Sequence, residues 1–313
     1  MTRVHEVTAD ARHAGTRLDV VLGESLGLSR ARLKRLFEAG AVRVNGRVAK
    51  KGLTLNGGET LRVELPDEAP AVVVEAPAAD APSLNILFED ATVVVVDKPA
   101  GVPSHPLRPG ERGTVANALL ARFPEMADVA DDPREAGLCH RLDVGTSGAL
   151  LCARRRDAWL ALREAFGARR VDKRYWAAVS GPLADEGRIE LPLRHHGKGD
   201  RVEPAIDGGA EGRPALSEFR VLARHGAESL VEVHIITGVL HQVRAHLAAI
   251  GAPLLGDTRY GGPPIEGFEG FALHARSLGF PHPVEGRMVH VESALPSRLA
   301  SLLSARSLLP DAP

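Results

Sequence analysis

The chain contains little cysteine, few aromatic residues and almost no net charge. Two cysteines among 313 residues, Cys139 and Cys152, are too few for a disulfide scaffold and lack metal-site spacing, so we expect a reducing, cytoplasmic setting. No apolar run is long enough to span a membrane, and residues 1–12 are polar where a secretory signal has an apolar core. A dinucleotide fingerprint and a phosphate-binding loop are also missing. These absences argue against secreted, membrane and nucleotide-binding proteins.

Positive charge is concentrated near the amino terminus, although the whole chain has a net charge of −1. Between Arg12 and Arg62, eleven Lys or Arg residues outnumber four Asp or Glu residues, which gives a local net charge of +7. A length of 313 residues fits one large domain or two unequal ones. The asymmetry predicts a basic amino-terminal module that binds a polyanion, followed by a larger and more acidic module.

The basic module, residues 16–65, is predicted to contain helices followed by short strands. Ser29 can cap a helix that Gly40 ends. An Asn-Gly pair at residues 45–46, between alternating apolar and polar residues, predicts a β-hairpin. The apolar stripe of the helix and the cations around it are Leu33, Leu36, Phe37, Arg30, Arg32, Lys34 and Arg35. Such a face is compatible with a solvated helix or with a surface for phosphates.

A proline-rich segment, residues 66–83, is predicted to link this module to a second one, residues 84–309. The second module mixes strand and helix signals without regular alternation, which indicates an α+β fold rather than a doubly wound one. We predict a mixed, mostly antiparallel sheet with flanking helices, preceded by the small α/β module. The predicted strands include 92–97, 148–153, 173–179 and 230–236, and the predicted helices include 157–166 and 241–250.

The segment from His140 to Gly148 holds a carboxylate, Asp143, close to a fixed cation, Arg141. Glycine and short hydroxyl residues follow at once, which is typical of a sharp turn that holds its acid in place. The nearby cation favours the ionised acid, and a fixed, ionised carboxylate suits a nucleophile or a charge stabiliser. On these residues alone, a surface ion pair in a turn explains the pattern at least as well.

The same segment resembles the catalytic loop of the RluA-type pseudouridine synthases. It matches the family pattern at His140-Arg-Leu-Asp and at Thr146-Ser-Gly. It departs from the pattern at Val144, where the family usually has a cation. Because any one motif can match by chance, the identification depends on further motifs in the same order.

Three further motifs follow the order of that family. Residues 97–101, Asp-Lys-Pro-Ala-Gly, form a turn after a strand, and we assign Lys98 and His105 no chemical role. Residues 173–181 place Tyr175 at the position of the family's tyrosine. Residues 237–247 contain Arg244, about 100° around the helix from the core position Val243. Val239 replaces a second cation of the family, and Leu247 and Ile250 are expected to share the buried face with Val243.

The basic module resembles the RNA-binding domain named for ribosomal protein S-four. In that family the basic helix and the loop after it bind the RNA backbone, which implies contacts from Arg30, Lys34, Arg35 and Lys50. Phosphate contacts supply affinity but little sequence information. The matching positions are Arg17-Leu-Asp19, Ser29-Arg30, Leu36, Gly40, Val42, Val44-Asn-Gly46 and Lys50.

Together these resemblances imply an enzyme that isomerises uridine to pseudouridine in RNA, most often in large-subunit ribosomal RNA, with no cofactor and no metal. Asp143 would be the catalyst and Arg244 would pair with it. Tyr175 would stack on the detached uracil and could help to remove the last ring proton. Arg141 would occupy the gap left by the flipped nucleotide. The residues do not decide between addition of Asp143 to the sugar and removal of a sugar proton. We expect a monomer.

Other functions stay open at the level of sequence. Val144 and Val239 are compatible with a catalytically inactive RNA-binding assembly factor, and transfer RNA is an alternative substrate. A glycosidase with Asp143 as nucleophile would need a second carboxylate roughly 5 to 10 Å away. Asp97 and Asp257, both in turn motifs, are the candidates for that partner.

Replacing Arg30, Lys34 and Arg35 together with Ala is expected to weaken RNA binding and to leave the fold intact, because these cations surround an apolar stripe rather than forming it. The complex should therefore be lost at a lower salt concentration than that of the parent protein. Titration of RNA across a salt series measures the effect, and an unchanged affinity across the series would contradict it.

Overall fold

A computed structural model describes residues 2–26, 33, 36–66, 82–108, 110–196, 201–205 and 212–310. The chain forms two compact units, one of Met1–Val74 with Asp131–Arg134 and one of Glu75–Ala130 with Glu135–Pro313. The predicted capping residue Ser29, the cations Arg30, Lys34 and Arg35 and most of the predicted linker lie outside the described residues. Within the described part of the chain, no helix is both long enough and apolar enough to cross a membrane.

The first unit is built on a four-stranded antiparallel sheet. Its strands are β1 (Thr2–Thr8), β2 (Val42–Val44), β3 (Arg47–Val48) and β4 (Thr60–Pro66), and their order is β1-β4-β2-β3. Helix α1 (Leu18–Leu26) precedes the middle strands. Leu33 and Leu36 are buried in the same core as Leu18, Leu22 and Leu61, and Phe37 packs against it. The apolar stripe expected between Ser29 and Gly40 is therefore confirmed.

The Asn-Gly hairpin lies where the sequence predicts it. Val44 pairs with Arg47, and the two turn residues Asn45 and Gly46 have φ angles of 48° and 77°. Positive φ at both central residues is what a type I′ turn requires, and Asn-Gly is the pair that tolerates it best. Lys50 follows this hairpin with its side chain exposed. Strand β1 lies before the predicted start of the module and was not predicted.

The second unit is organised around a nine-stranded sheet. Its strands are β5 (Asn85–Glu89), β6 (Val93–Lys98), β7 (Ser147–Ala153), β8 (Asp172–Ser180), β9 (Glu186–Glu190), β12 (Leu216–His225), β13 (Glu228–Ile235), β14 (Leu273–Pro281) and β15 (Met288–Glu292), while β10 (Leu193–His195) and β11 (Val202–Pro204) form a separate hairpin. The order is β5-β6-β7-β14-β8-β13-β12-β9, with β15 beside β14. Among the described strand pairs, β7 and β14 are parallel and the rest antiparallel, so the predicted sheet type is confirmed.

Among the described residues of this unit, four α-helices accompany the sheet: α2 (Val115–Arg122), α3 (Arg156–Gly167), α4 (Gln242–Ala249) and α5 (Ser297–Ala305). The predicted helices 157–166 and 241–250 correspond to α3 and α4. Val243 and Leu247 are buried in α4, as expected. The expectation for Ile250 is wrong, since its side chain is 36% exposed. Ile250 is the C-cap and lies beyond the last helical residue, so the helical period no longer fixes its direction.

One row of paired residues crosses the middle of the sheet. Lys98 of β6 pairs with Gly148 of β7, Gly148 with Ala275 of β14, and Ala275 with Tyr175 of β8. Gly148 has a φ of 116°, and a Cβ there would lie 2.2 Å from the carbonyl oxygen of Ala275, so the crossing requires glycine. The loop that contains Asp143 ends where β7 begins. It therefore enters the sheet two strands away from Tyr175.

Candidate active site

Asp143 lies in the loop before β7, and its side chain is 19% exposed. Its Oδ2 accepts a hydrogen bond from Nη1 of Arg244 at 3.2 Å. Nε2 of His241 lies 3.8 Å from the same oxygen. His241 is the N-cap of α4 and Arg244 lies in its first turn. The structure therefore brings Asp143 and Arg244 together, as the sequence predicts, and adds His241 beside them.

Arg244 is held by a second carboxylate that is more deeply buried. Its Nε and Nη2 donate to Oδ2 and Oδ1 of Asp257 at 2.6 and 3.0 Å, a bidentate pair. Its guanidinium also lies over the rings of Tyr260 and Phe271, at 4.8 and 4.3 Å from their centroids. Burial opposes the charge of Arg244, but the hydrogen bonds and charges of Asp257 and Asp143 raise its pKa overall. The guanidinium is thus a fixed cation with one nitrogen left for Asp143.

Arg141 is not the cation that contacts Asp143. Its Nη1 lies 3.5 Å from Nε2 of His105, and its side chain is exposed. Among the described residues, the ion pairs of Asp143 are with Arg244 and His241. The interpretation of Arg141 as the cation beside the acid is therefore wrong: the loop exposes Arg141 and buries Leu142 between the two charged residues.

Buried polar groups fix the loop around Asp143. The hydroxyl of Ser104 donates to the carbonyl oxygen of Leu142 at 2.9 Å and accepts from its N–H at 3.2 Å. The fully buried Lys98 donates from Nζ to the carbonyl oxygens of Pro99, Val102 and Val144, at 3.0, 2.6 and 3.1 Å. Burial lowers the pKa of Lys98 to about 7, although the charge of Asp143 opposes this. Lys98 therefore connects the turn that follows β6 to the loop that contains Asp143.

Tyr175 projects from β8 into the core beside this loop. Its side chain is buried, as are Lys173 and Ala177 on the same face of the strand, which confirms the predicted alternation. Burial and, to a smaller extent, the negative charge of Asp143 raise the pKa of Tyr175. The phenol is therefore protonated at neutral pH and can offer a ring face and a hydroxyl, whereas its action as a base is disfavoured.

Several groups in this cluster were missed by sequence reasoning. Asp257 was named only as a second carboxylate for a glycosidase, and no role was given to Tyr260, Phe271 or Lys98. Phe271 lies directly against the loop of Asp143. A Cβ at Gly145 would lie 2.8 Å from its ring, so a glycine is needed there to make room for the ring. Such a contact between distant segments has no signature in a single sequence.

The carboxylates suggested for a glycosidase are both engaged. The two oxygens of Asp257 accept hydrogen bonds from Arg244, and Oδ1 of Asp97 accepts one from the hydroxyl of Ser293 at 2.7 Å. A general acid must carry a proton and face a leaving group. Both oxygens of Asp257 are directed at the guanidinium of Arg244 and not at a leaving group, so the contacts of Asp257 do not favour the hydrolase alternative.

The two valines that depart from the family pattern have different surroundings. Val144 is 49% exposed beside Asp143. Val239 packs against a buried apolar cluster. That cluster consists of Leu193, Val202, Ala215, Ala245 and Tyr260. Val239 therefore has a packing role, while Val144 presents an apolar surface next to the carboxylate.

The fold and this site define an α+β domain on a mostly antiparallel sheet, in which one buried guanidinium is shared by a buried and a partly exposed carboxylate. The family model for RNA pseudouridylate synthase matches residues 92–249, and the S4 domain model matches residues 16–61. A relative from Xanthomonas campestris pv. campestris, named ribosomal large subunit pseudouridine synthase D, is 38% identical over 309 residues, covering 93% of this chain and 89% of the relative. An uncharacterized RNA pseudouridine synthase of Mycobacterium bovis is 40% identical over 295 residues, covering 93% of this chain and 94% of its own.

A solved structure has the same fold. The human RNA Pseudouridylate Synthase Domain Containing 4 aligns with a TM-score of 0.58 at 24% identity, over 77% of this chain and 98% of its own. The chain belongs to the RNA pseudouridine synthase family. It is an isomerase whose substrate is RNA, and it carries an amino-terminal S4 domain.

Asp257→Asn is expected to lower the free energy of unfolding by about 3 kcal/mol, because the buried guanidinium loses its charged bidentate partner. Asp143→Asn is the matched control. It removes a charge from the same guanidinium at a more exposed position with one hydrogen bond, and should cost only about 1 kcal/mol. Urea denaturation of the three proteins measures both values. Equal losses in the two variants would contradict the assignment of Asp257 as the main support of Arg244.

Proposed function

We propose that this enzyme converts a uridine of large-subunit ribosomal RNA to pseudouridine, with Asp143 as the catalytic residue. The observation that carries the proposal is the hydrogen bond from Nη1 of Arg244 to Oδ2 of Asp143 at 3.2 Å, which fixes a partly exposed carboxylate beside a permanent cation. The name of the Xanthomonas relative, which refers to the large ribosomal subunit, supports the choice of RNA. We also propose that the enzyme is cytoplasmic, as expected for a protein that acts on ribosomal RNA, and that it acts as a monomer.

The reaction must break the bond between the sugar C1′ and the uracil N1 and then join C1′ to C5. In one route, a carboxylate oxygen of Asp143 bonds to C1′ while the electrons of the C1′–N1 bond leave with the uracil. In the other, the carboxylate takes a sugar proton and leaves a glycal-like intermediate. In both routes the uracil then turns in place and C5 bonds to C1′. In the first route this displaces the carboxylate oxygen of Asp143 from C1′, and in the second the carboxyl of Asp143 returns its proton to the sugar. C5 finally loses its proton and N1 gains one. Arg244 and His241 contact Oδ2, so we propose that Oδ1 reacts.

Tyr175 is proposed to hold the detached uracil. A base that is modified at its glycosidic bond must leave its stack, and an aromatic ring face replaces the lost stacking. Tyr175 is close enough to Asp143 for the carboxylate charge to affect its pKa, which supports this placement. Because that pKa is raised, the phenol remains protonated and another group or water takes the final C5 proton.

Cations from both units are proposed to hold the RNA. Arg30, Lys34, Arg35 and Lys50 would contact phosphates through the S4 domain, and the exposed side chain of Lys50 is compatible with this role. Arg141 is exposed beside the loop of Asp143, which supports its placement in the gap left by the flipped nucleotide. An inactive assembly factor is less well supported, since Asp143, Arg244 and Tyr175 are all present and Arg244 contacts Asp143 directly.

Asp143→Asn is expected to reduce pseudouridine formation by about a thousandfold or more, because the neutral amide can neither add to the sugar nor take its proton. Parent and variant are incubated with large-subunit ribosomal RNA transcribed in vitro, and pseudouridine is mapped along the product. Asp185→Asn, a change at a carboxylate that is 94% exposed, is the control.

Full activity of Asp143→Asn would overturn the catalytic assignment. Product formed by the parent in transfer RNA but not in ribosomal RNA would overturn the proposed substrate. No product in either RNA would favour the inactive assembly factor.

A further inference from the structure

His241 lies between the candidate catalytic carboxylate and Tyr260. It is the N-cap of α4, adopts a left-handed backbone with a φ of 52°, and is buried. Its Nδ1 lies 3.0 Å from Oη of Tyr260, and the two rings meet edge to face with centroids 5.8 Å apart. The imidazole makes or breaks no bond in the proposed reaction, although it lies beside the reacting carboxylate.

The hydrogen bonds of Tyr260 assign the tautomer of His241. Oη of Tyr260 accepts a hydrogen bond from the backbone N–H of Val202 at 3.0 Å. A phenol has one proton to donate. Among the described residues the other hydrogen-bond partner of Oη is an N–H donor, so the acceptor for that proton is Nδ1 of His241. A neutral imidazole that accepts at Nδ1 carries its own proton at Nε2. The tautomer is assigned from this network, and it directs the N–H of His241 towards Asp143.

Nε2 of His241 and Nη1 of Arg244 face the same oxygen of Asp143. The distances to Oδ2 are 3.8 Å and 3.2 Å respectively. A separation of 3.8 Å is longer than a hydrogen bond, but contacts of catalytic groups often tighten when substrate binds. Two donors on one oxygen fix the rotation of the carboxylate, which one donor alone does not.

We propose that His241 is a positioning residue: its Nε2–H becomes the second donor to Oδ2 of Asp143 when RNA binds and directs Oδ1 at the sugar. The inference rests on the proposed function, because it assumes that Asp143 reacts. Tyr260 has a part in it, since the Tyr260 hydroxyl selects the tautomer that places the proton on Nε2.

A merely structural role for His241 predicts a different preference among substitutions. The carbonyl oxygen of His241 accepts from the N–H of Ala245 at 2.9 Å at the start of α4, whatever the side chain is. Asn tolerates the left-handed backbone better than Gln does. An amide nitrogen of Gln at this position extends about as far as Nε2, whereas the amide of Asn extends only about as far as Nδ1.

The test compares His241→Gln and His241→Asn in the full-length protein with large-subunit ribosomal RNA transcribed in vitro. We expect His241→Gln to keep a kcat about tenfold higher than that of His241→Asn, the equivalent of one hydrogen bond to a charged group, with KM unchanged in both. Tyr260→Phe, which removes the proton donor to Nδ1, should lower kcat with KM unchanged.

A kcat of His241→Asn equal to or above that of His241→Gln, or parental kcat in both, would overturn the proposal. If both variants fail to fold, Tyr260→Phe decides, and a parental kcat in that variant would overturn it. Asp143→Asn is assayed beside them. If it is fully active, the proposed function itself fails. If it is inactive while His241 shows no preference for Gln, only the positioning role fails.

Discussion

The site depends on one buried guanidinium that is shared by two carboxylates. Asp257 binds Arg244 through two parallel hydrogen bonds and is itself buried. Asp257, rather than the reacting carboxylate, therefore offsets most of the free-energy cost of burying the cation. The remaining nitrogen, Nη1, reaches Asp143, which is partly exposed. The deep carboxylate therefore serves stability and geometry, while the shallow one is left available to substrate. The rings of Tyr260 and Phe271 enclose the same cation and keep water away from it.

The sheet supplies the framework on which this arrangement is held. Glycine at position 148 allows β7 and β14 to approach closely. The row of paired residues that includes Gly148 begins at Lys98 on β6 and ends at Tyr175 on β8. Lys98 binds three carbonyl oxygens around the loop of Asp143 without a carboxylate in direct contact among the described residues. A buried lysine whose Nζ donates to backbone carbonyl oxygens of two segments holds those segments together at fixed distances. The position of Asp143 is thus set by backbone contacts on one side and by Arg244 on the other.

Much of the fold could be predicted from local patterns, because those patterns report on local forces. Alternation along residues 173–179 predicted β8 and the burial of Tyr175, and Asn45-Gly46 predicted a turn that needs positive φ. The helix of Arg244 was also predicted, but the expectation that Ile250 is buried was wrong. Ile250 is the C-cap, directly before Gly251, and the helical period was extended one residue too far. Strand β1 was missed since its partner β4 is more than fifty residues away in the chain.

The sequence predicted some residues of the site. The residues it did not predict are those that meet through contacts between distant segments of the chain. The resemblance to a family supplied Asp143, Tyr175 and Arg244. Adjacency in sequence suggested Arg141 as the partner of Asp143, whereas the cation in contact with it comes from a helix about a hundred residues later. Asp257, Tyr260 and His241 complete the arrangement through contacts among three segments. Periodicity and composition cannot encode which side chains meet across such separations.

Arg244→Lys tests the central claim most directly, because Lys keeps the positive charge but lacks the planar fork that binds Asp257 bidentately while a further nitrogen reaches Asp143. The measurement is the single-turnover rate of pseudouridine formation in large-subunit ribosomal RNA, together with the affinity of the same RNA for both proteins. We predict a rate lowered by about a hundredfold or more, with RNA affinity within about twofold of the parent value. A rate equal to that of the parent would show that the shared guanidinium does not position the catalytic carboxylate.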